Sequence, residues 1–264
     1  MKLSDYAPSA ARKILIYGAP KTGKTELVGT LASQGFNLKW LDLEDGIKTL
    51  LRPDSAAKSG IDNIELFRIP DTQSYPIATN TILKVVKGGS CRICHDHGAI
   101  DCIKCKTNKD AVITELDINK FGSKDVLVID SVSQLSASIM NHICRDRIAK
   151  GDDEYRPDWD DYRKQGFLLD RIFGIVQAGK FNCVCISHEQ LVEMEDKKKK
   201  LVPIGGTSNF SKTFAKYFDD VAYCEFVNGK YRAYTDAAQN SSAVIGSRAG
   251  RKIAEGQGLV ELFR

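Results

Sequence analysis

The stretch Gly18-Ala19-Pro20-Lys21-Thr22-Gly23-Lys24-Thr25 matches G-x-x-x-x-G-K-[ST] at every fixed position. Apolar residues Ile14 to Tyr17 precede it and read as a buried strand, and an amphipathic run from Glu26 through Leu27, Val28 and Leu31 reads as a helix. A strand–loop–helix context is what this pattern needs in order to bind phosphate. The glycines let backbone N–H groups turn inward, and the helix N-terminus adds its positive end. Gly18, Ala19, Pro20, Lys21, Thr22, Gly23, Lys24, Thr25 and Glu26 are therefore the expected nucleotide cradle. Lys24 would reach the β- and γ-phosphates of ATP, and the Thr25 hydroxyl would ligate Mg²⁺. The bland alternative is a glycine-rich turn arising by chance.

At 264 residues the chain can hold one large α/β domain with a small insert. A content of 42% hydrophobic and 27% charged residues suits a packed core. No stretch approaches 18 apolar residues, so no membrane span is expected. The first thirteen residues lack the apolar segment of a secretory signal, and a cytoplasmic location is expected. A net charge of +4 permits a nucleic-acid partner without arguing for one.

After the polar segment Met1 to Ala11, strands are expected at Lys13–Tyr17, Asn37–Leu43 and Ile64–Ile69, with a helix at Ile77–Val86 ended by Gly88-Gly89. Residues 88–123 are rich in Cys, Lys, Asp and Asn and read as an insert within a domain spanning residues 1–264. The alternation resumes with an apolar strand at Asp125–Ile129 and helices at Val132–Ile148 and Tyr162–Ala178, joined by a charged loop at Gly151–Asp161. A further strand is expected at Phe181–Ile186, then a mobile loop from Glu189 to Ser211. Asn228-Gly229 between two alternating runs predicts a C-terminal β-hairpin. Strands alternating with helices predict an α/β fold, a mostly parallel twisted sheet with helices on both faces.

Val126-Leu127-Val128-Ile129-Asp130 places Asp130 at the carboxyl end of an apolar strand, where it would hold Mg²⁺ or merely cap the next helix. Glu44, in Leu41-Asp42-Leu43-Glu44-Asp45, could take a proton from water, or be a solvated surface acid. Further parts follow in order: Gly60-Ile61-Asp62-Asn63, Pro70-Asp71-Thr72, Ile129-Asp130-Ser131-Val132, Ile186-Ser187-His188 and Gly205-Gly206. This series resembles the RecA-like P-loop ATPase core. It looks closest to the short phage-encoded versions, the nucleotide-binding recombination and single-strand-annealing proteins, over roughly Ala11 to Leu259 without the insert.

The resemblance implies an ATPase that binds single-stranded DNA in recombination, annealing or repair. Its partners would be further copies of itself in a ring or filament and a single-strand-binding protein, in the host cytoplasm if phage-encoded. Glu44 matches the family's water-activating glutamate. His188 falls where a polar sensor of the γ-phosphate stands, although bacterial recombinases have glutamine there. The segment carrying Lys197, Lys198, Lys199 and Lys200 matches the DNA-contacting loop, or is a solvated lysine run. Arg248 and Arg251 lie in a segment resembling the one that reaches a neighbouring subunit's nucleotide. Two departures from the family are expected: no separate N-terminal oligomerisation domain, and no large C-terminal DNA-binding domain.

Cys91-Arg92-Ile93-Cys94 and Cys102-Ile103-Lys104-Cys105 form two C-x₂-C knuckles separated by seven residues. Cys91, Cys94, Cys102 and Cys105 would close a tetrahedral structural Zn²⁺ site, with His95 and His97 as spare ligands. Arg92, Lys104, Lys106 and Lys109 make the insert basic. Cys144, Cys183, Cys185 and Cys224 lie in apolar segments and read as core thiols. Two rival functions remain: a P-loop nucleotide or small-molecule kinase, and a nucleotide-gated DNA-annealing or adaptor module without catalysis. A GTPase is disfavoured, because Asn108-Lys109-Asp110 and Asn119-Lys120-Phe121 both miss the N-K-x-D spacing.

Overall fold

A computed structural model describes residues 11–264 except 72–75, 96, 109, 149 and 152–154. Thr72 and Lys109, and nearly all of the N-terminal segment, lie outside the described residues.

Six strands run parallel: β1 (Lys13–Gly18), β2 (Asn37–Asp42), β3 (Ile64–Arg68), β6 (Asp125–Asp130), β7 (Asn182–Glu193) and β9 (Asp220–Val227). With the antiparallel β10 (Lys230–Tyr234) they form the order β10-β9-β1-β7-β6-β2-β3. Two short strands, β8 (Lys199–Pro203) and β11 (Gly246–Ser247), pair antiparallel with β7 and β9. This is a P-loop-type α/β fold, a mostly parallel sheet with helices packed on both faces. The strand bearing the P-loop is central, and β7 separates it from the strand bearing Asp130.

Successive residues of β1 and β6 face opposite sides, but both faces are covered, so each of these two strands reads as an unbroken apolar run. Ile14, Ile16, Val126 and Val128 pack with Val28 and Leu31 of α1 (Lys24–Ser33) and with Leu259 and Leu262 near the C-terminus. Leu15, Tyr17, Leu127 and Ile129 face the other way. There they meet α2 (Ile77–Val86), α4 (Val132–Ile148) and α5 (Trp159–Ala178), through Ile82, Leu135, Leu169 and Phe173. The buried Tyr17 hydroxyl donates to the carbonyls of Leu201 (3.1 Å) and Val244 (3.0 Å), tying β8 and the segment before β11 across this face.

Helix α5 begins three residues before the expected Tyr162, because Asp158 caps it. The Asp158 carboxylate accepts from the Asp161 N–H, and the buried Asp161 carboxylate accepts from the Asp158 N–H, a reciprocal capping box.

The expected mobile loop from Glu189 to Ser211 is a correction. β7 continues to Glu193 and turns back into β8, and α6 (Ser208–Thr213) follows. The reason lies in the side chains: Val192 and Val202 are buried while Leu191 and Glu193 face outward, the alternation of a half-covered hairpin. The lysine run obscures that pattern.

Residues 91–116 form a separate small unit: β4 (Cys91–Cys94) paired antiparallel with β5 (Ile113–Leu116), and the short helix α3 (Ile103–Thr107) between them. Cys91, Ile93 and Leu116 join the core cluster on the α2 face.

Candidate nucleotide site

In a parallel sheet every carboxyl end emerges at one edge, and ligands gather in the crevice outside it. The register brings Gly18 opposite His188, and Asp42 opposite Asp130. Gly18 ends β1 with φ +156°, and a Cβ there would fall 2.1 Å from the Cys224 carbonyl oxygen, so no other residue fits. Gly23, at φ +82°, gives the loop the left-handed turn from which α1 starts.

Lys24 is buried at the start of α1, and its ammonium donates to the carbonyls of Gly18 (3.0 Å) and Ala19 (2.6 Å). Burial draws its pKa below the ordinary value, opposed by Asp130 and Glu44 among its neighbours. Thr25 Oγ1 donates to Asp130 Oδ2 across 3.4 Å. Burial, and then the like charges of Asp42 and Glu44, push the Asp130 carboxyl up to about 7. A buried carboxyl crowded by two others, beside a lysine and a threonine hydroxyl, is what a hard divalent cation neutralises.

Glu44 lies in the turn after β2, with both carboxylate oxygens held. Ser131 Oγ donates to Oε1, and His188 Nε2 donates to Oε2 across 3.1 Å. Burial acts to raise its pKa, but the hydrogen bonds from His188 and Ser131, with the charges of His188 and Lys24, leave it below the usual value. Glu44 is therefore ionised at neutral pH, as a proton acceptor must be. Glu26, placed in the cradle by sequence, turns to the rim and accepts from Ser55 Oγ (2.9 Å) and the Ala56 N–H (3.1 Å).

A family model described as an AAA domain matches residues 10–246. The chain belongs to the AAA_24 family. No curated protein matches it by sequence. Among solved structures it is similar to one described as an "ATPase Domain", at 13% identity and TM-score 0.38, over 97% of this chain and 84% of that one. A second is "a prototypical ATPase from the type III secretion system of pathogenic bacteria", at 12% identity and TM-score 0.42, over 81% of this chain and 52% of that one. The AAA_24 chain is thus an AAA-type P-loop ATPase domain, for which ATP and Mg²⁺ are the implied ligands.

In this AAA_24 chain, Lys24, Thr25, Asp130, Glu44 and His188 line one cleft with Pro20 to Gly23. The remaining residues singled out in the sequence lie elsewhere. Arg248 follows β11, which pairs with Asp220 and Val221 near the amino end of β9, toward the sheet edge away from the P-loop. Its guanidinium donates to the Lys216 carbonyl (2.8 Å), and Arg251 Nε donates to the Arg264 carbonyl (2.8 Å). Lys197 to Lys199 are exposed at the tip of the β7–β8 hairpin, where Lys198 pairs with Asp196 at 3.3 Å, while Lys200 is half-buried on β8. In the insert, Cys94, His97 and Cys105 converge, but Cys91 does not join them.

Three contributors were not singled out by sequence. Asp42 accepts from the N–H groups of Glu44 (3.2 Å) and Gly46 (3.2 Å), and so shapes the turn carrying Glu44. Its signal was there to read: an acid closing an apolar strand, as Asp130 does. Ser131 was visible only as the residue after Asp130. Tyr231, 60% exposed on β10, lays its ring on the P-loop, where a Cβ on Gly23 would lie 2.9 Å from the ring. That contact depends on how the hairpin folds over the loop, which no local pattern reveals.

Proposed function

We propose that this chain hydrolyses ATP in a cycle coupled to single-stranded DNA, in recombination or strand annealing, and works as a homo-oligomer. The observation carrying this reading is the continuity of β7. It presents His188 to the Glu44 carboxylate and, five residues on, ends at the turn that bears the exposed lysines.

The loop N–H groups and Lys24 would take the β- and γ-phosphates, Lys24 exchanging its two carbonyl partners for phosphate oxygens. Thr25 and Asp130 would hold Mg²⁺, and the base would enter the neighbouring cavity between Leu27, Tyr231 and Ile253. Glu44 would accept a proton from the water that attacks the γ-phosphorus, as the bond to the β-phosphate oxygen breaks and ADP leaves. Each Glu44 oxygen keeps a second lone pair beside its bond from Ser131 or His188, so the carboxylate can take the proton while it is held in place. A backbone-tracking hairpin binds through phosphate charge, so affinity should be weakly sequence-dependent and strongly salt-dependent.

The test measures ATP turnover with and without single-stranded DNA, and DNA affinity against salt. DNA should raise the turnover of the unmodified protein. Glu44→Gln should keep nucleotide binding and lose turnover by at least about a hundredfold, the scale of general-base catalysis. Changing Lys197, Lys198, Lys199 and Lys200 together to Ala should weaken DNA binding and flatten the salt slope by about 2–4. Turnover indifferent to DNA, with an unchanged salt slope in the lysine variant, rejects the coupling.

A further inference from the structure

The insert cannot stand by its own burial. A two-stranded sheet is marginal in water, and α3 is only five residues long. What it does have is a knot of soft donors. Cys94 Sγ, a ring nitrogen of His97 and Cys105 Sγ all lie within 4.8 Å of one another. Cys105 Sγ is 3.3 Å from Cys94 Sγ and 2.9 Å from His97 Nε2. Cys102 contacts Cys105 and lines the same small cavity as Cys94 and Cys105, although its sulfur stands outside the three donors that lie mutually within 4.8 Å and would have to draw in to complete the set. A tetrahedral ion at about 2.3 Å from sulfur and about 2.0 Å from nitrogen spaces its donors roughly 3.5 Å apart, a little more than the 2.9 Å and 3.3 Å of the two Cys105 contacts.

The two knuckles do not contribute symmetrically. In a strand, residues three apart face opposite ways. On β4, Cys91 shares its face with Ile93, toward the core, and Cys94 takes the other. The Cys91 thiol is directed at the Gly89 carbonyl, 3.6 Å away. His97 occupies the place that Cys91 leaves, because the chain turns back tightly after Cys94. The Gly98 N–H donates to the Cys94 carbonyl (2.8 Å), and the Cys94 N–H to that of Ala99 (3.2 Å). Gly98 has φ +63°, and a Cβ there would fall 2.5 Å from the Ile69 side chain and 2.9 Å from the Arg68 carbonyl oxygen. Thr81 Oγ1 donates to the Gly98 carbonyl (2.7 Å). The turn that delivers His97 is thus clamped to the end of β3.

We propose that Cys94, His97, Cys102 and Cys105 hold a structural zinc ion, and that Cys91 is a core thiol outside its shell. Thiolates with one imidazole in a closed four-ligand set select zinc over hard cations, and leave no open position for chemistry. The metal staples the turn at Gly98 against β3 and ties α3 to β4, adding to the anchorage that Cys91, Ile93 and Leu116 give the insert in the main core.

The test uses untagged protein purified without chelator. Metal analysis should find one zinc per chain in the unmodified protein and in Cys91→Ala. Competition against a chromophoric chelator should show at least tenfold weaker zinc binding in His97→Ala and in Cys102→Ser, with His97→Cys restoring it. Cobalt substitution counts the sulfurs directly. The unmodified protein should show a tetrahedral ligand-field band, with sulfur-to-cobalt charge transfer about three-quarters that of His97→Cys. That ratio needs no Cys91 variant, so it decides even where Cys91→Ala fails to fold. Absence of zinc, a four-thiolate cobalt spectrum in the unmodified protein, or undiminished zinc binding in Cys102→Ser overturns the assignment.

Discussion

At the scale of single residues, the site concentrates negative charge before any ligand arrives, and Asp130 bears most of the cost. Its carboxyl titrates near 7 in the fold, against an ordinary 3.8. Between those values the native state keeps a proton that the unfolded chain has lost. Unfolding free energy contributed by this group therefore falls as pH rises, and the fall continues above 7, where native Asp130 ionises, only until both states are charged. Asp130→Asn does not titrate, so in Mg²⁺-free buffer it should be more stable than the unmodified protein. That advantage should widen by about 2–3 kcal/mol between pH 5 and pH 8. Denaturant unfolding of both proteins at the two pH values checks it. A constant difference would mean that Asp130 is not held protonated. Mg²⁺ with nucleotide should reverse the ranking, because the cation favours the ionised carboxylate that asparagine cannot supply.

At the scale of elements, what was legible in the sequence depended on whether the determinant was local. The P-loop, the strand closing on Asp130 and the Asn228-Gly229 turn each carry their own chemistry, and the chain folds there as expected. The β7–β8 hairpin was not legible, because four consecutive lysines mask an alternation that only β-pairing makes useful. Cys91 stands apart from the other cysteines of the insert for a similar reason: C-x₂-C spacing names two thiols, but strand alternation turns Cys91 to the face that joins the main core. The start of α5 was missed because its cap lies within a charged stretch. Here the structure allows a graded prediction. Asp158→Ala loses one cap and should cost about 1 kcal/mol. Asp161→Ala should cost about 3 kcal/mol, because Asp161 is buried and also receives Arg147 (2.7 Å) and the Tyr155 hydroxyl, which would be left without their acceptor. Denaturant midpoints rank the two, and equal losses would show that Asp161 serves only as a cap and that its bonds from Arg147 and Tyr155 add nothing.

At the scale of the whole molecule, the sheet has one reactive edge, and two arginines lie far from it. Arg248 and Arg251 are held toward the opposite edge by backbone carbonyls of their own chain, so neither reaches its own P-loop in this arrangement. If they contribute to hydrolysis, they do so across an interface, where a guanidinium would stabilise charge building on the γ-phosphoryl group. Such a contact joins the reactive edge of one copy to the far edge of the next. It is heterologous and propagates into a ring or a filament. Activity per chain should then rise with protein concentration in the presence of ATP and DNA. Arg248→Ala and Arg251→Ala should each lose turnover while keeping nucleotide affinity, because the P-loop is untouched. Lys24→Ala should lose nucleotide binding. Mixing an arginine variant with Lys24→Ala gives some interfaces that pair an intact P-loop with an intact arginine, so the mixture should regain up to about a quarter of full activity on random assembly. Turnover measured against mixing ratio should peak near equal amounts. A mixture no more active than its parts, with activity per chain flat in concentration, would mean that each copy completes its own site and that the two arginines serve only to pin the C-terminal segment.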